Sequence, residues 1–169
     1  MAIRSNHYDA AFEEFLRDRR TAHVVVDEQR RPLVNEASLK SMDFIVYSQR
    51  NANLLVDVKG RRFPSGGEKN LHKWENWATA DDLQSLQKWQ TVFGADFRGL
   101  LVFAYHILHK RWLAEVDSPF TFRNRLYAFY GVWADDYLRA MRNRSASWQT
   151  VTLPSAEFRR LRKPIAEFL

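Results

Sequence analysis

Residues 53–60 read NLLVDVKG, and this short stretch decides the fold class. Its apolar residues are typical of a buried strand, yet it carries the charges of Asp57 and Lys59. A charge in an apolar interior costs on the order of several kcal/mol unless it is paired or binds a metal. Because side chains two positions apart point to the same face of a strand, the two charges indicate one site.

A second strand, DFIVYS at residues 43–48, precedes this stretch, and residues 49–52 have the length of a hairpin loop. Pairing across that hairpin predicts Asp43 opposite position 57 or 58. Two neighbouring carboxylates repel each other unless a positive charge lies between them, and Mg²⁺ prefers oxygen ligands. We therefore predict a Mg²⁺ (or Mn²⁺) site formed by Asp43, Asp57 and the Val58 carbonyl. The alternative is a structural ion pair between Asp57 and Lys59 at a strand end.

Lys59 has three candidate roles beside such a site. It could orient the attacking water, help to deprotonate it, or stabilise negative charge growing on a phosphate.

The remaining segments predict an α/β protein with the order α-β-β-β-α-β, a mixed sheet flanked by helices, and β and α additions at the C-terminal end. Thr79 and Asp82 are spaced like a capping box at the start of the second helix. The predicted segments are a helix at 6–19, strands at 22–27, 43–48 and 53–59, a loop at 60–78, a helix to 93, strands at 97–105 and 125–133, and short helices at 134–143 and 156–162. We expect a single domain over 1–169, with a core of about 5–106 and an extension of about 107–169.

The arrangement MD-FIVYS…NLLVDVKG resembles the core of the PD-(D/E)XK nuclease superfamily, which includes restriction endonucleases, archaeal Holliday-junction resolvases and repair nucleases. The resemblance covers roughly residues 5–106, and Met42 stands where the superfamily name has proline. It implies a restriction-endonuclease-like fold and Mg²⁺-dependent hydrolysis of phosphodiester bonds, in DNA rather than RNA. It leaves a homodimer open, because many members dimerise.

The first helix carries two further candidates for the site, because an acid from this helix often completes the site in the superfamily. Asp9 and Glu13 lie four positions apart and share a helix face. Asp9 is favoured because it borders the apolar stripe, although the helix dipole alone also favours acids near this end. HYDAAFE at 7–13 resembles the opening helix of an uncharacterised bacterial family with a HYE-x-AFE signature, with Asp9 in place of its glutamate.

The predicted loop at 60–78 combines cations with aromatic residues, as nucleic-acid-binding segments do. Cations contact phosphates, and aromatic rings stack on unpaired bases. The residues predicted to contact nucleic acid are Arg61, Arg62, Lys69, Lys73 and Trp74. Alternatively, the loop is solvated and its tryptophans pack onto the core.

The composition excludes several classes of protein. The 169 residues include no cysteine, which excludes disulfides and cysteine zinc sites, and the net charge of +6 favours a polyanionic partner. The first ten residues lack the apolar core of a signal peptide, and the longest apolar run, 99–105, is too short to span a bilayer. We expect a cytoplasmic protein without a membrane partner. A non-catalytic nucleic-acid-binding or interaction domain and a nuclease acting on RNA remain as alternatives.

Overall fold

The computed structural model describes residues 6–27, 31–34, 37–50 and 52–169. Two short 3-10 helices cover Lys110–Glu115 and Ile165–Glu167. The helices and strands are α1 (His7–Asp18), β1 (His23–Val25), β2 (Leu33–Val34), β3 (Ala37–Ser38), β4 (Phe44–Val46), β5 (Asn53–Phe63), β6 (Ala78–Thr79), α2 (Ala80–Phe93), β7 (Phe97–Ile107), β8 (Phe120–Phe122), β9 (Arg125–Trp133), α3 (Ala134–Ala140), β10 (Arg142–Ser145), β11 (Thr150–Thr152), α4 (Ser155–Leu161) and β12 (Lys163–Pro164).

The main sheet is mixed, with strand order β1-β4-β5-β7-β9-β12 and β8 beside β9. Strands β4 and β5 form an antiparallel hairpin, whereas β5 and β7 run parallel over eleven residue pairs from Asn53↔Phe97 to Phe63↔Ile107. The other pairs in this sheet are antiparallel. Helix α2 connects the parallel strands, as parallel pairing requires a long crossover. The predicted core order α-β-β-β-α-β is therefore confirmed, with β2, β3 and β6 as additions.

The two faces of β5 serve different cores because its side chains alternate. Val56 and Val58 pack with Phe12 and Leu16 of α1 on one face. Leu55 lies in the second cluster with residues of α2 on the other face. Asp57 and Lys59 share the face of Leu55, so both charges lie on the α2 side of the sheet.

Several predicted boundaries were wrong. Strand β5 continues to Phe63, so residues 60–63 belong to the sheet and not to a loop. The helix predicted at 134–143 ends at Ala140, and Arg142 begins a strand. The strands predicted at 22–27 and 43–48 are three residues long, and residue 51 of the hairpin loop lies outside the described residues.

Helix α2 begins as the sequence predicted. The Thr79 side chain accepts a hydrogen bond from the Asp82 backbone, and the Asp82 carboxylate accepts one from the Thr79 backbone. In the described part of the chain, every helix is too short or too polar to cross a membrane.

Candidate active site

Asp43 immediately precedes Phe44, the first residue of β4, and lies beside the part of β5 that has no partner residue in β4. The first pair between the two strands is Phe44↔Val56, so Asp43, one residue earlier, lies opposite Asp57. The Asp43 Oδ2 atom accepts a hydrogen bond from the Val58 backbone N–H at 2.6 Å, taking the place of a partner-strand carbonyl. Because the N–H and C=O of one strand residue point to the same side, the Val58 carbonyl faces the Asp43 side as well.

Lys59 lies between two carboxylates. Its Nζ atom is 3.0 Å from Asp57 Oδ1 and 2.7 Å from Asp82 Oδ2. The other Asp82 oxygen accepts a hydrogen bond from Lys40 Nζ. A lysine ammonium has three donors, and among the described residues Asp57 and Asp82 engage two of those of Lys59. The network satisfies charges that would otherwise be costly to bury.

The network shifts the pKa values of Lys59 and Asp82. Burial alone would lower the pKa of Lys59, but Asp57 and Asp82 outweigh burial and raise that pKa above its ordinary value. Burial alone would raise the pKa of Asp82, but Lys59 and Lys40 outweigh it and hold that pKa well below its usual range. Lys59 is therefore protonated, and Asp82 ionised, at neutral pH.

The two acids of α1 lie in different environments. Asp9 is buried on the side of α1 that carries the apolar residue Phe12. Glu13 pairs with Arg17 at 2.6 Å and lies 4.0 Å from His23 Nε2. The structure thus engages Glu13 in ion pairing along α1 and places Asp9 among the buried residues of that helix.

The oxygen atoms beside the first residue of β4 are of the kind that a hard divalent cation binds. Asp43 and Asp57 supply carboxylate oxygens on adjacent strands, and the Val58 carbonyl faces the same side, a set that Mg²⁺ takes together with waters and phosphate oxygens. Across the described ranges, no group of three or more His, Cys, Asp or Glu side chains is placed to hold a metal. A cation there would thus depend on two carboxylates.

The predicted nucleic-acid contacts fall into two groups, and the first lies on β5. The Arg61 side chain is buried, donates to the carbonyls of Gly60 and Trp77, and lies 3.9 Å from the Trp77 ring centroid. We expected it on an exposed loop, so its predicted location was wrong. Arg62, the next residue, is exposed on the opposite face of β5.

The second group lies beyond β5. Lys69 is exposed, whereas Lys73 pairs with Glu115 at 2.9 Å. The ring centroids of Trp74 and Phe63 lie 4.6 Å apart at the edge of the core. The guanidinium carbon of Arg162 lies 3.7 Å from the Trp74 ring centroid. Trp74 therefore packs against the core, as the alternative interpretation of this segment predicted.

Sequence reasoning missed Lys40 and the second role of Asp82. The capping-box spacing identified Asp82 only as part of a helix cap, which involves the backbone of Thr79 and no lysine. Its buried contact with Lys59 depends on how α2 packs across β5. Together with Asp57, these two residues line a crevice that leaves no space for a water molecule.

Comparison with known proteins supports the fold. No family model and no curated protein matches the sequence, so the HYE-x-AFE resemblance is not confirmed. Among solved structures, the chain is similar to the Holliday junction resolvase Hjc from Archaeoglobus fulgidus, an archaeal hyperthermophile. The two share 13% sequence identity with a TM-score of 0.56, over 95% of this chain and 96% of that one. The predicted fold class is confirmed: the chain has the mixed α/β fold of this resolvase.

Proposed function

We propose that the protein is a metal-dependent nuclease that hydrolyses phosphodiester bonds in DNA. The observation that carries the proposal is the placement of Asp43 opposite Asp57, with Lys59 on the same strand face, in the fold of a Holliday junction resolvase. Asp43, Asp57 and the Val58 carbonyl would hold Mg²⁺ or Mn²⁺, and Asp9 rather than Glu13 would support the site from α1. When bound, the cation would polarise the scissile phosphate and lower the pKa of water.

The state of Lys59 supports one of its three candidate roles. Its raised pKa keeps the ammonium protonated at neutral pH, so it is a poor base for the attacking water. With Asp57 and Asp82 holding the ammonium, its remaining donor can stabilise charge that grows on a phosphate oxygen.

One observation favours a second candidate, a nucleic-acid-binding domain without catalysis. Lys59, Lys40, Asp57 and Asp82 satisfy one another without a metal. Lys40, Asp57 and Asp82 also line a crevice with no space for water. A scaffold that had lost its activity would retain such a network for stability.

The deciding experiment measures cleavage of labelled DNA and RNA of several structures with and without Mg²⁺ or Mn²⁺. We expect cleavage of DNA that stops with chelator and returns with added metal. Asp57→Asn should fold and bind DNA but cleave roughly a hundredfold more slowly, the scale of losing one major electrostatic contributor.

Glu14→Gln is the control, because Glu14 is an exposed acid on α1 whose loss removes the same charge. Its cleavage rate should equal that of the unmodified protein. Cleavage that persists in chelator, or an Asp57→Asn variant as active as the Glu14→Gln control, would rule out the proposed site. DNA binding without cleavage under every condition would favour the non-catalytic domain.

A further inference from the structure

The hairpin formed by β10 and β11 presents an exposed tryptophan. Trp148 lies in the turn between the two strands and is 78% exposed, more than any other large apolar side chain in the described ranges. Single exposed apolar residues are common on protein surfaces, so exposure alone does not indicate a function. The inference rests on the position of Trp148 in the fold and on a basic groove that is lined in part by Arg144 of the same hairpin.

The hairpin is fixed beside the candidate active site. Strand β11 pairs with β6, and the Gln149 carbonyl, adjacent to Trp148, accepts a hydrogen bond from the Ala80 backbone at 2.9 Å. Ala80 is the first residue of α2, and two residues later Asp82 contacts Lys59. A short chain of backbone and side-chain bonds therefore connects the tip of the hairpin with Lys59.

A basic groove of about 550 Å³ runs between the hairpin and residues 71–77. Its cations are Lys73, Arg144, Arg159 and Arg162, against a single acid, Glu75, in its lining. Within the described part of the chain, the three arginines have no carboxylate within ion-pair distance.

Two of these arginines are held in place by stacking on aromatic rings. The guanidinium carbon of Arg144 lies 5.2 Å from the Trp77 ring centroid, and that of Arg162 lies 3.7 Å from the Trp74 ring centroid. A guanidinium group that is stacked in this way loses little further freedom when it binds a phosphate.

We propose that the hairpin and the groove bind an unpaired nucleic-acid strand, with Trp148 stacked on a base and Arg144 and Arg159 on phosphates. An aromatic ring stacks on a base whose face is exposed, and the bases of a continuous duplex cover one another. The inference rests on the proposed function for its relevance to cleavage. It names the substrate class as DNA with an unpaired segment next to the cleaved bond.

The test measures binding without divalent metal, so that it does not depend on cleavage. Three labelled probes are compared in chelator by fluorescence anisotropy: a single strand, a forked duplex and a blunt duplex. Trp148→Ala should weaken binding of the single strand and the fork by about tenfold or more, the scale of losing one stacked base, and leave the blunt duplex unchanged. The melting temperature should not change, because the side chain is exposed.

Matched variants separate stacking from other causes. Trp148→Phe should restore much of the binding, because phenylalanine keeps a flat aromatic face. Val92→Ala removes another exposed apolar side chain, on α2, and should have no effect on any probe. Arg144→Ala and Arg159→Ala should each lower the slope of log K against log salt for fork binding by about one unit.

Two outcomes would overturn the inference. One is a Trp148→Ala variant that binds the fork as tightly as the unmodified protein. The other is a Trp148→Ala variant that loses affinity equally for the single strand, the fork and the blunt duplex. A protein that binds the fork through Trp148 but never cleaves it would contradict the proposed nuclease and leave the inference standing.

Discussion

Asp82 combines three tasks in one side chain. It caps α2 through Thr79, and its carboxylate contacts the ammonium groups of both Lys59 and Lys40. Each contact favours the ionised carboxylate, and together they outweigh the burial that favours the neutral acid. The catalytic candidate Lys59 is therefore positioned by a residue outside the sequence motif.

The lowered pKa of Asp82 has a definite consequence for stability. An acid whose pKa is lower in the folded state stabilises the fold above its unfolded pKa of about 4, and this stabilisation is lost as the pH falls further. The unfolding free energy should therefore decrease below pH ~4. The raised pKa of Lys59 acts in the opposite range, because its contribution is lost only when the pH rises above the ordinary lysine value.

We expect Asp82→Asn to lower the unfolding free energy at pH 7 by roughly 3 kcal/mol, the lower end for breaking a buried ion pair, because Asp57 still pairs with Lys59. The loss of stability between pH 4 and pH 2 should also become less steep. Denaturant unfolding at several pH values measures both effects. Asp81→Asn changes the adjacent, exposed residue, so its unfolding free energy should still fall steeply between pH 4 and pH 2. If the unfolding free energy of Asp82→Asn falls equally steeply, the role assigned to Asp82 is wrong.

At the scale of elements, α1 packs its first turn directly onto β5. Gly60 follows Lys59 on that strand, and a Cβ atom built there would overlap the Tyr8 ring. The absence of a side chain at Gly60 thus lets the N-terminal end of α1, with Asp9, approach the strand of the candidate site. A larger side chain at position 60 should push α1 away from β5.

Gly60→Ala should therefore destabilise the protein by about 1–3 kcal/mol, the usual effect of overpacking a core. Truncation of the ring in Tyr8→Ala should make the Gly60 substitution much less harmful, and a double-mutant cycle of unfolding free energies measures this coupling. Gly67→Ala is the control, because a Cβ atom there meets no atom within 4 Å. Additive effects of the Tyr8 and Gly60 substitutions would contradict direct packing.

The elements also show which features of the fold a sequence can predict. Local patterns were sufficient for α1 and for the Thr79 cap of α2, because apolar spacing and capping act within a few residues. The end of β5 was not predictable in this way. Gly60, Arg61 and Arg62 have the composition of a loop, and only their pairing with β7, far along the chain, makes them a strand.

The same distinction applies to the site. Asp43, Asp57 and Lys59 lie on one hairpin, so strand pairing predicts their proximity. Lys40 and Asp82 join them through the packing of α2 and the segment before β4, which no local pattern specifies. Arg61 carries the sequence signal of a phosphate contact, but its side chain packs on Trp77 in the interior.

At the scale of the whole molecule, the net charge of +6 predicts binding to nucleic acid that weakens with salt. Each phosphate contact releases counterions, so removing one contact lowers the slope of log K against log salt by about one unit. Substituting Arg62, Lys69 and Lys73 together by alanine should lower the slope by about three. Salt titrations of DNA binding, followed by anisotropy in chelator, measure it.

The control variant substitutes Arg17, Lys88 and Arg139 by alanine, which removes the same charge from exposed helix positions. Its slope should stay close to that of the unmodified protein. Equal slopes in the two triple variants would show that net charge alone governs binding, and that the residues after Lys59 make no contact.

The parallel pairing of β5 with β7 determines when the candidate site can exist during synthesis of the chain. Each residue of β5 meets one 44 positions further along, from Asn53 with Phe97 to Phe63 with Ile107. Contacts of such large sequence separation form slowly, since a long loop must close first. A nascent chain that has not yet exposed β7 outside the ribosome therefore cannot hold Asp57 and Lys59 in their final geometry. The proposed activity would begin only after β7 has left the ribosome and paired with β5.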